Sequence, residues 1–101
     1  MAGRRTVFFV SDQTGVTAET LGRSLLTQFE AHDFSQSTVP FIDSVDKADE
    51  VVRRINAVGR EEGVRPIVFS TLVQDELRAR FINVNGLFLD FFEAFLSPLE
   101  R

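Results

Sequence analysis

Val7-Phe8-Phe9-Val10-Ser11-Asp12-Gln13-Thr14-Gly15-Val16-Thr17-Ala18-Glu19-Thr20-Leu21-Gly22 runs from a continuous apolar stretch through a hydroxyl-rich loop with one glycine into helical periodicity. Four successive β-prone apolar residues read as a buried strand, expected at residues 6–11. Past the loop, Ala18, Leu21, Leu25 and Phe29 recur at helical spacing with Leu26 beside them, so a helix is expected from about Thr17 to Glu30. A strand that turns into a helix this tightly aims backbone N–H groups and the positive helix end at one spot. An anion such as phosphate can sit there.

The same grammar repeats downstream. Thr38-Val39-Pro40-Phe41-Ile42 reads as a second strand, and Pro40, which cannot donate to a ladder, marks it as an edge or irregular strand. A helix is expected over 45–62, capped by Asp43 or Ser44, with acids Asp46, Asp49 and Glu50 early in it. Val45, Ala48, Val52 and Ile55 form its apolar stripe, flanked by Val51 and Val58, and Gly63 suits its stop. Pro66-Ile67-Val68-Phe69 reads as a third strand. Thr71-Leu72-Val73-Gln74 fits a capping box, placing a helix from there to about Ile82. After a break at Asn83 to Gly86, Leu87 to Leu99 is helical in period but apolar on two sides. Phe88, Phe92, Phe95 and Leu99 make one stripe; Leu87, Phe91 and Leu96 make another. A helix this apolar needs a cover, so a second copy or a missing C-terminal portion is the expected partner of 87–99.

The order β-α-β-α-β-α-α predicts an α/β domain of three layers. Its short parallel sheet has three or four strands in flavodoxin-like order, the first strand central and helices on both faces. The loops at 11–17, 43–44 and 70–71 then gather along one sheet edge, where ligands bind in open α/β folds. Ser11, Asp12, Thr14, Gly15 and Thr17, with Ser70 and Thr71 next door, are the candidate phosphate- or substrate-binding residues. The bland alternative is a turn at Gly15, a cap from Thr14 or Thr17 and a turn-forming Asp12, with nothing bound. Glu19 is either a partner of the helix dipole or a hindrance to a bound anion.

Composition narrows the chemistry. A chain of 101 residues, 44% apolar, makes one modest globular domain. It has no cysteine and only one histidine, His32, so thiol chemistry is excluded and no metal site is expected. The net charge of −4 disfavours nucleic acid. No apolar run reaches the ~20 residues of a membrane span and no signal-peptide core is visible, so no membrane partner and a cytoplasmic location are expected. Eleven Phe without Tyr or Trp imply aromatics used for packing. Neither G-x-G-x-x-G nor G-x-x-x-x-G-K-[ST] occurs, and Lys47, the only lysine, reads as a solvated helix residue.

The segment from Val7 through Gly22, continued by Ser24-Leu25-Leu26-Thr27-Gln28-Phe29, closely resembles the N-terminus of the bacterial regulatory proteins of phosphoenolpyruvate synthase and pyruvate, phosphate dikinase. Val39-Pro40-Phe41-Ile42-Asp43 and Gly63-Val64-Arg65-Pro66-Ile67-Val68-Phe69-Ser70-Thr71-Leu72 match in the same order and spacing. Gln13 departs, standing where family members often carry glycine or a small residue. The resemblance implies a bifunctional serine/threonine kinase and phosphorylase. Such proteins use ADP to phosphorylate a threonine of the target synthase or dikinase, and inorganic phosphate to remove it. It also implies that residues 1–101 are the N-terminal α/β domain of a longer protein whose P-loop kinase domain is absent from this chain. On that expectation the chain is inactive alone and holds no cofactor itself, ADP and phosphate being substrates of the full-length family. Two other readings stand beside this one. Thr14-Gly15-Val16-Thr17 also resembles the phosphate loop of flavodoxins, implying an FMN-binding module, and a non-catalytic dimerisation domain would need no ligand.

Overall fold

A computed structural model describes residues 5–29 and 33–100. It contains strands β1 (Arg5–Val10), β2 (Phe34–Val39), β3 (Ile67–Ser70) and β4 (Leu87–Asp90), and helices α1 (Val16–Leu26), α2 (Val45–Glu62), α3 (Asp75–Arg80) and α4 (Phe91–Leu99). A 3-10 turn at Phe81–Asn83 follows α3. The sheet is parallel throughout, in the order β2-β1-β3-β4, so the first strand is central as expected.

β1 is buried on both faces, and its alternation divides the core into two layers. Phe8 and Val10 pack with Val68, with Ala48, Val51, Val52 and Ile55 of α2, and with Leu77 and Phe81. Val7 and Phe9 pack on the other side with Ile67, Phe69, Ala18 and Leu26 of α1, and Phe91 of α4. Burial of each such large side chain contributes about 1.5–3 kcal/mol. The stripe expected on α2 is the buried one. Ser44 is its cap, accepting from the Lys47 amide at 3.2 Å, and Gly63 ends it at φ 71°.

Four elements differ from expectation. The second strand lies at Phe34–Val39 rather than 38–42. It sits at the sheet edge, where the β1 ladder holds polar Ser35, Gln36, Ser37 and Thr38 in register without any apolar pattern, and Pro40 ends it. Thr71 is not a helix cap. Its buried amide continues the sheet by donating to Val10 O at 3.1 Å, and α3 starts only at Asp75, with Gln74 at the cap position making no side-chain bond. Leu87–Asp90 is a strand rather than helix, because its apolar run completes the sheet beside β3 while Asp90 starts α4 by accepting from the amides of Phe92 and Glu93. α1 buries Ala18, Gly22 and Leu26 and leaves Leu21, Leu25 and Phe29 exposed.

The last difference has a steric cause. Phe9 and Phe69 stack with ring centroids 5.8 Å apart directly beneath α1. A Cβ on Gly22 would stand 2.4 Å from Phe9 Cε1 and 2.9 Å from Phe69 Cδ2, so only a small residue lets the helix seat. Leu25 and Phe29 instead line an apolar channel of about 410 Å³ with Phe34, Ile67, Leu87 and Leu89. That channel runs at the start of the strands, away from the loops at their ends. Glu30 and His32 lie outside the described residues.

Candidate functional site

Parallel strands gather the loops after β1, β2 and β3 at one edge, and the connections leave β1 toward opposite sides there. The first loop is the centre. Gly15 adopts φ 87° as the residue before α1, a left-handed conformation that glycine takes at no steric cost. A Cβ there would meet Thr38 Cγ2 at 2.8 Å, so the elbow is also pressed against β2.

Ser11 is buried and works inside the fold. Its Oγ accepts from the Gln13 amide at 3.0 Å, its amide donates to Val39 O, and its carbonyl accepts from the Ile42 amide. Ser70 is likewise buried, with Oγ accepting from the Leu72 amide at 3.1 Å. These two hydroxyls shape their loops. Asp12 Oδ2 accepts from the Val73 amide at 3.3 Å, stitching the loop after β1 to the loop after β3, while Asp12 Oδ1 is buried with no partner. Thr14 and Thr17 are exposed, and Thr14 Oγ1 sits 3.4 Å from the Val16 amide. Thus Ser11, Asp12, Thr14, Gly15 and Thr17 form one elbow, and Ser70 and Thr71 stand beside it across the β1–β3 boundary.

Among the described residues, no acceptor takes the amides of Thr14, Gly15, Thr17 or Ala18. These donors cluster at the positive end of an 11-residue helix. Glu19, in the first turn, accepts from Thr38 Oγ1 and pairs with Arg23 at 3.4 Å, so its carboxylate is already engaged. No residue from 11 to 17 is basic. The elbow therefore offers hydrogen-bond donors and no basic side chain of its own.

Three neighbours of the elbow carried no sequence signal. Val16 at the start of α1, Phe41, whose amide bonds Gln13 O, and Val73, whose amide bonds Asp12, stand 61%, 56% and 62% exposed. Phe41 has φ 58°, a left-handed conformation costing a non-glycine residue about 1–2 kcal/mol. It is held there by its amide, which donates to Gln13 O at 2.8 Å. Glycine or asparagine would have announced such a position; phenylalanine does not.

The chain has relatives among known proteins. The model of the kinase/pyrophosphorylase family matches residues 7–101. A Pseudomonas putida protein carrying the provisional name phosphoenolpyruvate synthase regulatory protein is 53% identical over 98 residues. Relatives of the same provisional name from Ectopseudomonas mendocina and Alkalilimnicola ehrlichii are 52% and 50% identical. Each alignment covers 97% of this chain and 35–36% of the relative, so the chain spans about a third of the length of the curated relatives it matches.

Proposed function

Because the chain belongs to the kinase/pyrophosphorylase family, we propose that it supplies the anion-seating half of a regulatory phosphotransferase acting on phosphoenolpyruvate synthase or a related dikinase. In this reading the full-length protein phosphorylates a target threonine with ADP and removes the phosphate with inorganic phosphate. The elbow at 11–17 steadies the transferred or attacking phosphate. The observation that carries it is the cluster of unclaimed amides at Thr14, Gly15, Thr17 and Ala18, in a segment 11–17 that has no basic residue. Donors with no basic side chain in their own segment suit half of a site, completed by a basic P-loop on the remaining two-thirds of a protein of the relatives' length.

The same reading gives the apolar channel between α1 and β4 a role as the seat of that remaining polypeptide, with a second copy of the chain as the alternative occupant. It also makes the 101-residue chain inert as a catalyst. Two measurements test the proposal. Titration of the isotope-labelled chain with inorganic phosphate is expected to move the Gly15 and Thr17 amide resonances; silence there would remove the anion seat. Incubation with ADP and phosphoenolpyruvate synthase is expected to give no phosphorylated target, and turnover would overturn the half-site assignment. Flavin absorbance in the purified chain would favour an FMN-binding module instead.

A further inference from the structure

We propose that the junction Asn85–Gly86 is a site of self-modification, at which the folded chain converts Asn85 to aspartate or isoaspartate without an enzyme and so loosens the start of β4.

The chain has three asparagines, and the structure separates them. Asn56 lies inside α2, where the amide of the next residue is committed to the helix ladder. Both ends of its carboxamide are engaged, Nδ2 donating to Asn83 O at 3.3 Å and Oδ1 accepting from the Asn85 amide at 2.6 Å. Asn83 is followed by Val84, whose branched side chain crowds the nitrogen between them. Asn85 is exposed, and among the described residues nothing bonds its carboxamide. Gly86 follows with no side chain to shield its nitrogen, and the sheet keeps it so. A Cβ there would stand 2.9 Å from Pro66 O, the carbonyl that accepts from the Leu87 amide where β4 meets β3.

Hydrogen bonding leaves the 85–86 peptide unit unattached. The chain is held ahead of it at the Asn85 amide by Asn56, and behind it at the Leu87 amide, 2.9 Å from Pro66 O. Between these anchors, neither the Asn85 carbonyl nor the Gly86 N–H has a partner among the described residues. The unit can rotate about Asn85 ψ and Gly86 φ without breaking either anchor, since glycine admits both signs of φ. That rotation brings the Gly86 nitrogen to the Asn85 side chain.

The nitrogen gives up its proton to solvent base and attacks Cγ of Asn85. The Cγ–Nδ2 bond breaks, ammonia leaves with a proton from water, and a cyclic imide joins the two residues. Water then opens the imide at either carbonyl, so the balance is amide plus water giving ammonia plus acid. One opening gives aspartate. The other gives isoaspartate, which runs the backbone through Cβ and Cγ and lengthens it by one atom. The extra atom falls just ahead of Leu87, the residue that pairs with Ile67 at the start of β4.

The test incubates the 101-residue chain at pH 7 and pH 9 and follows each asparagine by peptide mass spectrometry, beside the same chain in urea and the variant Asn85→Gln. In the folded chain, conversion at Asn85 is expected to be at least about tenfold faster than at Asn56 or Asn83, and faster at pH 9 than at pH 7. Conversion of Asn85 in urea but not in the folded chain would overturn the proposal, because the fold would then protect the junction. Equal rates at the three asparagines would overturn it too. Incubated wild type is expected to develop a fraction with a lower urea midpoint, which Asn85→Gln, closing a larger ring far more slowly, does not. An equal loss in both would break the link to β4.

Discussion

Asp12 accepts a hydrogen bond from the Val73 amide, 3.3 Å away across the β1–β3 boundary, and its other carboxylate oxygen is buried without a donor. One side chain thus ties together the two loops that flank the point where the sheet's connections diverge. It also places a negative charge next to the amides offered to an anion.

Asp12→Asn keeps an acceptor for Val73 and removes that charge. A unit charge about 4 Å away is worth about 1 kcal/mol in water-like surroundings. Inorganic phosphate is therefore expected to bind the variant several-fold more tightly, read from the Gly15 amide shift, with the folded state changed by less than about 1 kcal/mol. A weaker phosphate response would show that the carboxylate helps to shape the elbow.

Gly15→Ala forces a side chain into φ 87° and sets its Cβ 2.8 Å from Thr38 Cγ2. Left-handed strain alone costs about 1–2 kcal/mol, and the contact adds to it. Urea unfolding should register a loss of about 2–4 kcal/mol, accompanied by loss of the phosphate response. A neutral substitution would mean that the elbow is looser than its geometry here.

Gly22→Ala tests the seat of α1. Helix propensity favours alanine by about 1 kcal/mol. A Cβ 2.4 Å from Phe9 Cε1 and 2.9 Å from Phe69 Cδ2 pushes the helix off two stacked rings, and such overpacking typically costs about 1–3 kcal/mol. The net effect is expected to be a lower melting temperature in calorimetry. A rise would show that propensity outweighs the clash.

Asp49 and Arg80 join α2 to α3 through two hydrogen bonds of 2.8 and 2.7 Å. The bond to Arg80 is the main reason that the Asp49 carboxyl titrates below its ordinary value of 3.8, and the same pair raises Arg80. A carboxyl whose pKa is lower folded than unfolded stabilises above the unfolded value and loses that contribution as pH falls toward the folded one. The stability gap between wild type and Asp49→Asn, read from urea midpoints, should therefore hold at pH 5–7 and close as pH drops below about 3.8. A gap of constant size down to pH 2.5 would contradict the pairing.

Local residue pattern was enough for β1, for α2 and for the parallel order. Val7 to Val10 can only be a doubly buried strand, and Ala48, Val52 and Ile55 keep helical period over an unbroken stretch. The elbow was legible for the same reason, since Thr14-Gly15-Val16-Thr17 is a local strand-to-helix junction. The segment at 87–99 was not. Leu and Phe runs satisfy helix and strand alike, and only the free edge of β3 made Leu87–Asp90 a strand. β2 was missed for the converse reason, because an edge strand held by ladder bonds needs no apolar signal.

The amino-acid order by itself determined the α/β class and the hydroxyl-rich turn into α1, because these rest on local periodicity, and the alternation of strands and helices then implied a parallel sheet with the first strand inside it. Tertiary structure alone decided that Gly22, rather than Leu21, faces the core, that Asp12 grips Val73, and that Phe41 stands strained in the open. Each of these is set by atoms brought together from distant parts of the chain, where volume and hydrogen-bond geometry outrank local preference.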